Sequence, residues 1–172
     1  MKKAKPLLIN TKRLSLHSIE NTDKQYLIEL LTNEIISKTY MVPAFKNNDE
    51  KEKMFDHFKK ISNNLERFLY GIYLNEKLIG FINDVEIIED EIELGFVIHP
   101  KYHNFGYATE VLKKCIEELF NIGYETIKAG AFEENIASIK VMEKSKMIRL
   151  NSTSTIEYKS KMHNCIWFEI RK

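Results

Sequence analysis

The sequence has few of the residues that mark cross-linked, metal-bound or repetitive proteins, with 2 cysteines, 3 prolines and 6 glycines among 172 residues. Cys115 and Cys165 lie far apart and belong to no Cys-x-x-Cys or Cys/His spacing, which argues against a zinc site. The scarcity of Gly and Pro leaves no linker and no low-complexity tract along the chain. The sequence therefore predicts two reduced thiols and no metal.

Long apolar runs and an excess of one charge are also missing. Lys plus Arg number 26 and Asp plus Glu number 25, which argues against a broad nucleic-acid-binding face but leaves room for a local basic patch. The apolar run Leu7–Ile9 is too short for a signal peptide, and no stretch reaches the roughly 20 apolar residues of a membrane span. These absences predict a cytoplasmic protein that binds neither nucleic acid nor membrane.

What is present is the composition of a globular protein, with 44% hydrophobic and 30% charged residues. The length fits a single domain over residues 1–172. Hydrophobic periodicity predicts the order strand, two helices, three strands, helix, strand, helix, two strands. That order is typical of a mixed α/β domain built on one central sheet.

Capping signals and periodicity locate the predicted elements. Thr22 and Gln25 predict a capping box, and Asn48 is expected to cap the second helix. The longest helix has apolar residues at i, i+3, i+4 and i+7 from Ala108 to Phe120, and Gly123 is expected to terminate it. The predicted strands are 14–19, 67–74, 77–88, 91–98, 124–131, 147–156 and 164–170, with a short helix at 135–144.

Residues 93–112 form a predicted strand, a loop and the start of the longest helix. The first N–H groups of a helix lack internal partners and favour an anion, and Gly106 and Ala108 would let a phosphate approach the backbone. The segment lacks the Gly-Lys-Ser/Thr of a P-loop and the Gly-x-Gly-x-x-Gly of a dinucleotide site. Because strand–turn–helix segments are common, phosphate binding is only one of the functions that this segment could have.

Two runs resemble the acetyl-CoA-binding motif of the GNAT superfamily of N-acetyltransferases: ELGFVIHP at 93–100 and GYATEVL at 106–112. Thr11–Leu14 resembles the opening strand of the branch that includes the ribosomal-protein N-terminal (alanine/serine) acetyltransferases, and Asn135–Lys144 resembles its late helix. The resemblance covers nearly the whole chain in the family's order. It implies a mostly antiparallel central sheet, about four flanking helices and a splayed pair of strands between 91–98 and 124–131.

The resemblance also implies which residues bind acetyl-CoA, the expected co-substrate. Backbone groups of Phe96, Val97 and Ile98 would pair with the pantetheine amides. Asn135 and Ser138 would line the pantetheine arm from the other side. Backbone N–H groups from Asn104 to Thr109 would hold the pyrophosphate, and His103 is a further candidate for binding it; the loop residues are His103, Asn104, Phe105, Gly106, Tyr107, Ala108 and Thr109. The amine would attack the thioester directly, without a covalent enzyme intermediate.

Four positions depart from the family pattern. His103 and Asn104 replace an Arg or Gln and a Gly in the loop; Asn104 is expected to tolerate positive φ, and His103 to help bind phosphate when protonated. Lys146 replaces a Gly that ends the late helix, so the last turn is expected to differ. Met142 replaces a Tyr that protonates the departing thiolate, but a thiol of pKa about 8.5 leaves readily without that acid.

Glu93 is the candidate general base, because it lies on the polar face of the predicted strand 91–98; the alternative is a structural carboxylate. The acidic residues around it either attract a cationic acceptor or form a solvated hairpin; they are Glu86, Glu89, Asp90 and Glu91. Three aromatic residues are candidates for an acceptor pocket or for the core: Tyr40, Phe45 and Tyr70. Four histidines have no mutual spacing that suggests catalysis: His17, His57, His99 and His163.

The predicted function is transfer of the acetyl group of acetyl-CoA to a primary amine, on a protein N-terminus or a small molecule. An α-amine of pKa about 7.7–8.0 is neutral in roughly one part in ten at pH 7, against roughly one part in 2,500 at pKa about 10.4. With one candidate base, the sequence favours the weakly basic amine. The alternatives are a non-catalytic acyl-CoA-binding module on the same fold and a structural protein. Monomer and homodimer are both compatible with the sequence.

Overall fold

The computed structural model describes residues 3–172. These residues form one eight-stranded sheet and five α-helices. Helices α1 to α5 are Lys24–Thr32, Ile36–Thr39, Asn48–Ser62, Tyr107–Asn121 and Ile136–Lys144. Strands β1 to β8 are Ile9–Asn10, Ser15–His17, Tyr70–Leu74, Lys77–Ile88, Glu91–Ile98, Thr126–Phe132, Ile148–Tyr158 and Lys161–Arg171. The strand order is β1-β2-β3-β4-β5-β6-β8-β7. The predicted fold class, a mixed and mostly antiparallel sheet with flanking helices, is confirmed.

Two compact units divide the chain. The N-terminal unit contains the chain up to Asn83 together with Phe96–Tyr107, and the C-terminal unit contains Asp84–Gly95 and Ala108–Lys172. Strands β4 and β5 and helix α4 each have residues in both units. That residues 1–172 form a single domain stays a prediction.

The N-terminal unit is built on antiparallel strands β1 to β3 and the first part of β4. Helices α1 and α3 bury apolar side chains against this sheet, among them Leu27, Leu30 and Phe55. Tyr26 does not join them, since 39% of its surface is exposed. The apolar spacing of the second predicted helix extends to Leu65, but α3 ends at Ser62 and Leu65 is 44% exposed.

The C-terminal unit contains most of α4 and the strands β6 to β8. Strand β6 pairs in parallel with the first part of β5 and antiparallel with β8, and β7 and β8 form a long hairpin. Helix α4 buries the predicted stripe, whose fully covered members include Val111, Leu112 and Leu119. Cys115 and Cys165 are free and buried, as predicted.

Two predicted helix caps are wrong, the first by two residues and the second by one. The first turn begins at Asn21, and Glu20 and Asp23 form its capping box. Asp23 Oδ2 accepts the Glu20 N–H at 2.8 Å and the Tyr73 hydroxyl at 2.7 Å. Burial of Asp23 against Tyr73 fixes this earlier start, and Thr22 takes no part in it. At α3 the Asn47 side chain accepts the Glu50 N–H at 2.9 Å, so Asn47 rather than Asn48 is the cap.

The end of α5 keeps the left-handed geometry of a glycine cap without a glycine. Lys146 has φ of 64° and its N–H donates to the Glu143 carbonyl at 3.0 Å. The Met147 N–H donates to the Met142 carbonyl at 3.1 Å, which completes the two-bond motif that commonly ends helices. The expectation that this turn would differ is therefore wrong: Lys146 adopts the conformation at a cost in strain rather than changing the turn.

Candidate active site

The loop before α4 belongs to the N-terminal unit and is folded by two residues of positive φ. Pro100–Tyr102 forms a short 3-10 helix, after which Asn104 has φ of 66° and Gly106 has φ of 80°. The positive φ expected of Asn104 is confirmed. The chain then enters α4 at Tyr107, so the first turn of that helix follows directly on a tight left-handed turn.

Arg13 lies beside this loop, a contact that the sequence did not reveal. Its guanidinium carbon is 4.5 Å from the centre of the Tyr107 ring, within the range of a cation–π contact. A Cβ added at Gly106 would lie 3.6 Å from Arg13 Nη2. The Thr11 hydroxyl and Leu14 exchange hydrogen bonds at 3.0 and 3.2 Å, which fixes the turn that carries Arg13. The resemblance included Thr11–Leu14 only as an opening strand and gave Arg13 no role.

His103 is bonded back to β5. Its Nε2 lies 2.6 Å from the Ile98 carbonyl oxygen. Because a carbonyl only accepts, Nε2 carries the proton, and in the neutral ring Nδ1 is left as an acceptor. His103 can therefore donate to a phosphate through Nδ1 only when the ring is protonated. The Ile98 carbonyl was a candidate partner for pantetheine, and it already accepts this bond.

Val97 is held against β4 by a close backbone approach inside the N-terminal unit. A Cβ added at Gly80 would lie 2.1 Å from the Val97 carbonyl oxygen and 3.1 Å from the Ile98 Cα. The His99 N–H donates to the Ile79 carbonyl at 2.8 Å. Only glycine fits at residue 80, so this position fixes the backbone of Val97 and Ile98, two of the three strand residues predicted to meet pantetheine.

The parallel ladder between β5 and β6 is short. In the C-terminal unit it runs over four described pairs, from Glu91 opposite Thr126 to Leu94 opposite Ala129. Beyond that pair β5 continues to Ile98 and β6 continues to Phe132. The described pairs end at Leu94 and Ala129, and the splay of the two strands stays a prediction.

Glu93 lies within this ladder, directly opposite Lys128, and is partly buried. Burial raises the pKa of its carboxyl group above the usual range, the negative charge of Glu86 raises it further, and Lys128 opposes both. The Lys128 ammonium forms its ion pair with Glu91, so its charge is shared between two carboxylates. Glu93 is therefore a carboxylate of increased basicity, as a general base requires.

The start of α5 holds two of the residues predicted to line the pantetheine arm. Asn135 caps the helix: its Oδ1 accepts the Ser138 N–H at 3.2 Å, and its Nδ2 donates to Ser138 Oγ at 3.0 Å. Both side chains belong to the C-terminal unit, as do Ala108 and Thr109 in α4. Met142, at the position of the family's Tyr acid, is fully buried.

The three aromatic candidates for an acceptor pocket differ from one another. Tyr70 is wholly buried, and its hydroxyl donates to the Pro6 carbonyl at 2.6 Å, so it is a core residue. The Tyr40 hydroxyl donates to Asn83 Oδ1 at 2.8 Å, and burial raises the pKa of Tyr40 to about 12. Phe45 and Tyr40 pack at the edge of the core of the N-terminal unit and are partly buried.

Residues 3–172 contain no group of three or more His, Cys, Asp or Glu side chains that could hold a metal ion. In the same range no helix combines the length and the apolar character needed to cross a membrane. Two of the histidines without catalytic spacing contact neighbouring side chains: His99 Nε2 lies 2.9 Å from Glu29 Oε1, and the His17 ring stacks on Tyr73 with 3.7 Å between ring centres.

Comparison with known proteins agrees with this geometry. Residues 13–148 match the sequence profile of the acetyltransferase (GNAT) domain. The chain belongs to the GNAT acetyltransferase family. It is therefore an acyl-CoA-dependent N-acyltransferase of the GNAT type, whose co-substrate is acetyl-CoA. An uncharacterized N-acetyltransferase of Bacillus subtilis, YnaD, is 32% identical over 143 residues, which cover 82% of each chain.

Solved structures of GNAT proteins share the fold over nearly the full chain. A GNAT acetyltransferase from Bacillus anthracis superposes with a TM-score of 0.81 at 24% identity, covering 95% of this chain and 98% of its own. RimL, a ribosomal α-N-protein acetyltransferase solved with coenzyme A, gives 0.81 at 13% identity, covering 95% and 97%. Spermidine N-acetyltransferase from Vibrio cholerae, solved with coenzyme A and spermine, gives 0.77 at 19%, covering 92% and 95%. At these identities the likeness shows the fold and leaves the acceptor open.

Proposed function

We propose that this GNAT enzyme acetylates a weakly basic primary amine, a protein α-amine or a small-molecule amine of similar basicity, with Glu93 as the general base. The observation that carries the proposal is the environment of Glu93, a partly buried carboxylate whose pKa is raised by burial and by Glu86. A base must take a proton from the ammonium before it can attack, or from the amine as it attacks, and a raised pKa brings the basicity of the carboxylate closer to that task at neutral pH.

Amine basicity selects the acceptor class. Only a neutral amine attacks a thioester, and roughly one part in ten of an α-amine is neutral at pH 7 against roughly one part in 2,500 of a lysine-like amine. A single candidate carboxylate base suits the first acceptor. RimL acts on a ribosomal-protein α-amine, and the Vibrio cholerae enzyme acts on spermidine, so the fold accommodates both classes.

The loop of the N-terminal unit supports phosphate binding. At Gly106 the nearest atom to an added Cβ is the Arg13 guanidinium nitrogen, so the backbone there is open beside a fixed positive charge. Backbone N–H groups from Asn104 to Thr109 would bind the pyrophosphate, whereas the His103 N–H already donates to the Pro100 carbonyl at 3.1 Å. Backbone groups of Phe96–Ile98 and the side chains of Asn135 and Ser138 would bind pantetheine.

The leaving group needs no acid from the protein. Coenzyme A departs as a thiolate, and a thiol of pKa about 8.5 is stable enough as an anion to leave unassisted near neutral pH. The buried Met142 supplies no proton. The strand backbone would donate hydrogen bonds to the thioester oxygen as negative charge develops on it.

A comparison of three acceptors tests the proposal. The first is a peptide with a free N-terminal Ser and no Lys, the second is the same peptide with a blocked N-terminus and one Lys, and the third is spermidine. Release of free thiol from acetyl-CoA is followed at pH 7. We expect kcat/KM to be roughly 10² times higher for the α-amine, in line with the fraction of neutral amine. A preference for the Lys peptide or spermidine would overturn the acceptor assignment and leave acetyl transfer intact.

Ligand binding provides the control for this screen. Acetyl-CoA at 100 times its Kd should stabilise the folded chain by about 2.7 kcal/mol, because it binds the folded state alone. Stabilisation without turnover on any acceptor would favour the non-catalytic acyl-CoA-binding module. If acetyl-CoA gives no stabilisation and no turnover is found, the proposed site is contradicted altogether.

A further inference from the structure

The loop that leads into α5 is tied to β8 by contacts that no motif of the sequence contains. We define the α5 loop as Phe132–Asn135, all of it in the C-terminal unit. Beyond the last ladder pair of β6 and β8, the Glu133 N–H donates to the Asn164 carbonyl at 2.8 Å. Next to it His163 Nδ1 lies 2.6 Å from the Glu134 carboxylate. Two successive residues of the loop are thus held by two successive residues of β8.

Within the α5 loop, Glu134 is placed to control Asn135. The Asn135 N–H donates to the Phe132 carbonyl at 2.8 Å, and the Ile136 N–H donates to the Glu134 carbonyl at 3.0 Å. With φ of −83° and ψ of 68°, Asn135 is the centre of an inverse γ-turn. Its side chain is already committed to Ser138. The direction of Asn135 therefore depends on where the backbone of Glu134 is held.

His163 is the rigid end of this contact. The ring is 8% exposed and stacks on Phe132 with 4.3 Å between centres and 16° between planes, and Tyr158 lies 6.2 Å away. The Glu134 side chain is by contrast 49% exposed. A buried and stacked ring donates to a carboxylate that would otherwise move freely in solvent, and hydrogen bonds to charged groups are among the stronger ones in proteins.

We propose that His163 is a positioning residue of the acetyl-CoA site: through Glu134 it fixes the α5 loop, and so sets the direction in which Asn135 and Ser138 meet the pantetheine arm. This inference rests on the pantetheine role proposed for Asn135 and Ser138. His163 touches no substrate in this scheme. A binding group loses affinity for its ligand when the residues around it do not hold it in the productive geometry.

Two substitutions separate the donor of His163 from its ring. His163→Phe keeps the stacking on Phe132 and removes the N–H that Glu134 accepts. His163→Asn removes the ring and keeps an amide N–H at about the distance of Nδ1 from the backbone. A positioning role follows the donor, whereas a role in packing alone follows the ring. Since Glu134 is half-exposed, losing its partner should not unfold the chain.

Kinetics give kcat and the KM values for acetyl-CoA and the acceptor, and thermal unfolding gives Tm. Binding is measured for acetyl-CoA and for a pantetheine-free probe, adenosine 3′-phosphate 5′-diphosphate, which is the part of coenzyme A that lacks pantetheine. We expect His163→Phe to raise KM and Kd for acetyl-CoA about tenfold, because one charge-assisted contact is lost. The kcat, the acceptor KM and the binding of the pantetheine-free probe should be unchanged. His163→Asn should restore most of the acetyl-CoA affinity while lowering Tm more than Phe does. Glu157→Gln, which removes an exposed carboxylate from β7, is the matched charge control and should change none of these values.

Other outcomes would overturn the inference in distinct ways. If acetyl-CoA affinity survives in the Phe variant and falls in the Asn variant, His163 acts through packing. If the pantetheine-free probe loses affinity as much as acetyl-CoA does, the effect is a general disturbance rather than one on the pantetheine arm. If the unsubstituted chain binds no acetyl-CoA, the proposed function fails first, and this inference with it.

Discussion

Gly80→Ala tests the close approach of β4 and β5 in the N-terminal unit, and we expect a large loss of stability. The new Cβ would lie 2.1 Å from the Val97 carbonyl oxygen, whereas ordinary contact begins at 3.4 Å. The obstacle is backbone and cannot rotate away, so the two strands must separate by more than 1 Å. Overpacking costs about 1–3 kcal/mol, and an immovable neighbour places this substitution near about 3 kcal/mol. For a chain of this length that corresponds to a fall in Tm of roughly 6–12 °C.

Thermal and urea unfolding followed by circular dichroism measure this loss. Gly106→Ala is the matched control, because its Cβ would meet nothing nearer than 3.6 Å and only the positive φ of 80° is unfavourable. Left-handed geometry costs a residue with a Cβ about 1–2 kcal/mol, so this variant should lose less stability than Gly80→Ala. A Gly80→Ala variant with the Tm of the unsubstituted chain, or one more stable than Gly106→Ala, would refute the steric argument.

Three further predictions concern the site. Glu93→Gln should lower kcat about 10²-fold or more while leaving acetyl-CoA affinity nearly unchanged, and unaltered turnover at pH 7 would exclude Glu93 as the base. Glu86→Gln removes a negative charge that raises the pKa of Glu93, so Glu93 would lose its proton at lower pH. The acidic limb of the kcat profile against pH, measured at saturating acceptor, should therefore move to lower pH. A stationary limb would contradict the coupling of the two carboxylates. Gly106→Val should weaken coenzyme A binding in calorimetry far more than it lowers Tm, whereas unchanged affinity would place the pyrophosphate elsewhere.

The limits of β4 and β5 could be predicted from the sequence because local signals specify both ends of each strand. Asn75 and Glu76 both have positive φ and form the tight turn before β4, and Glu89 has positive φ at the hairpin tip. The alternation of β5 and the proline after it give the remaining limits. Helix α4 was equally clear, since its apolar stripe is unbroken and Gly123 ends it with φ of 103°.

The helix caps and the acceptor-pocket candidates were less predictable because distant residues decide them. Asp23 is recruited as a cap by the Tyr73 hydroxyl, 50 residues away. Tyr70 is drawn into the core by a buried contact with Lys5, whose Nζ lies 4.2 Å from the ring centre, 65 positions earlier in the chain. No local pattern contains either partner, and an aromatic residue in a strand has the same sequence signature whether it meets a pocket or a core.

Glu93 shows the same division between what a motif contains and what the fold adds. Alternation along β5 and the resemblance to the GNAT motif both select this carboxylate from the sequence. Its basicity, however, depends on Glu86 and on Lys128, which comes opposite Glu93 only through the parallel register of β5 with β6. Lys128 pairs with Glu91, two residues earlier on the same face, and that pairing limits how far it can hold Glu93 ionised. A motif therefore selects the candidate carboxylate, whereas the residue opposite it on β6 and the charges beside it set the direction in which its pKa is shifted.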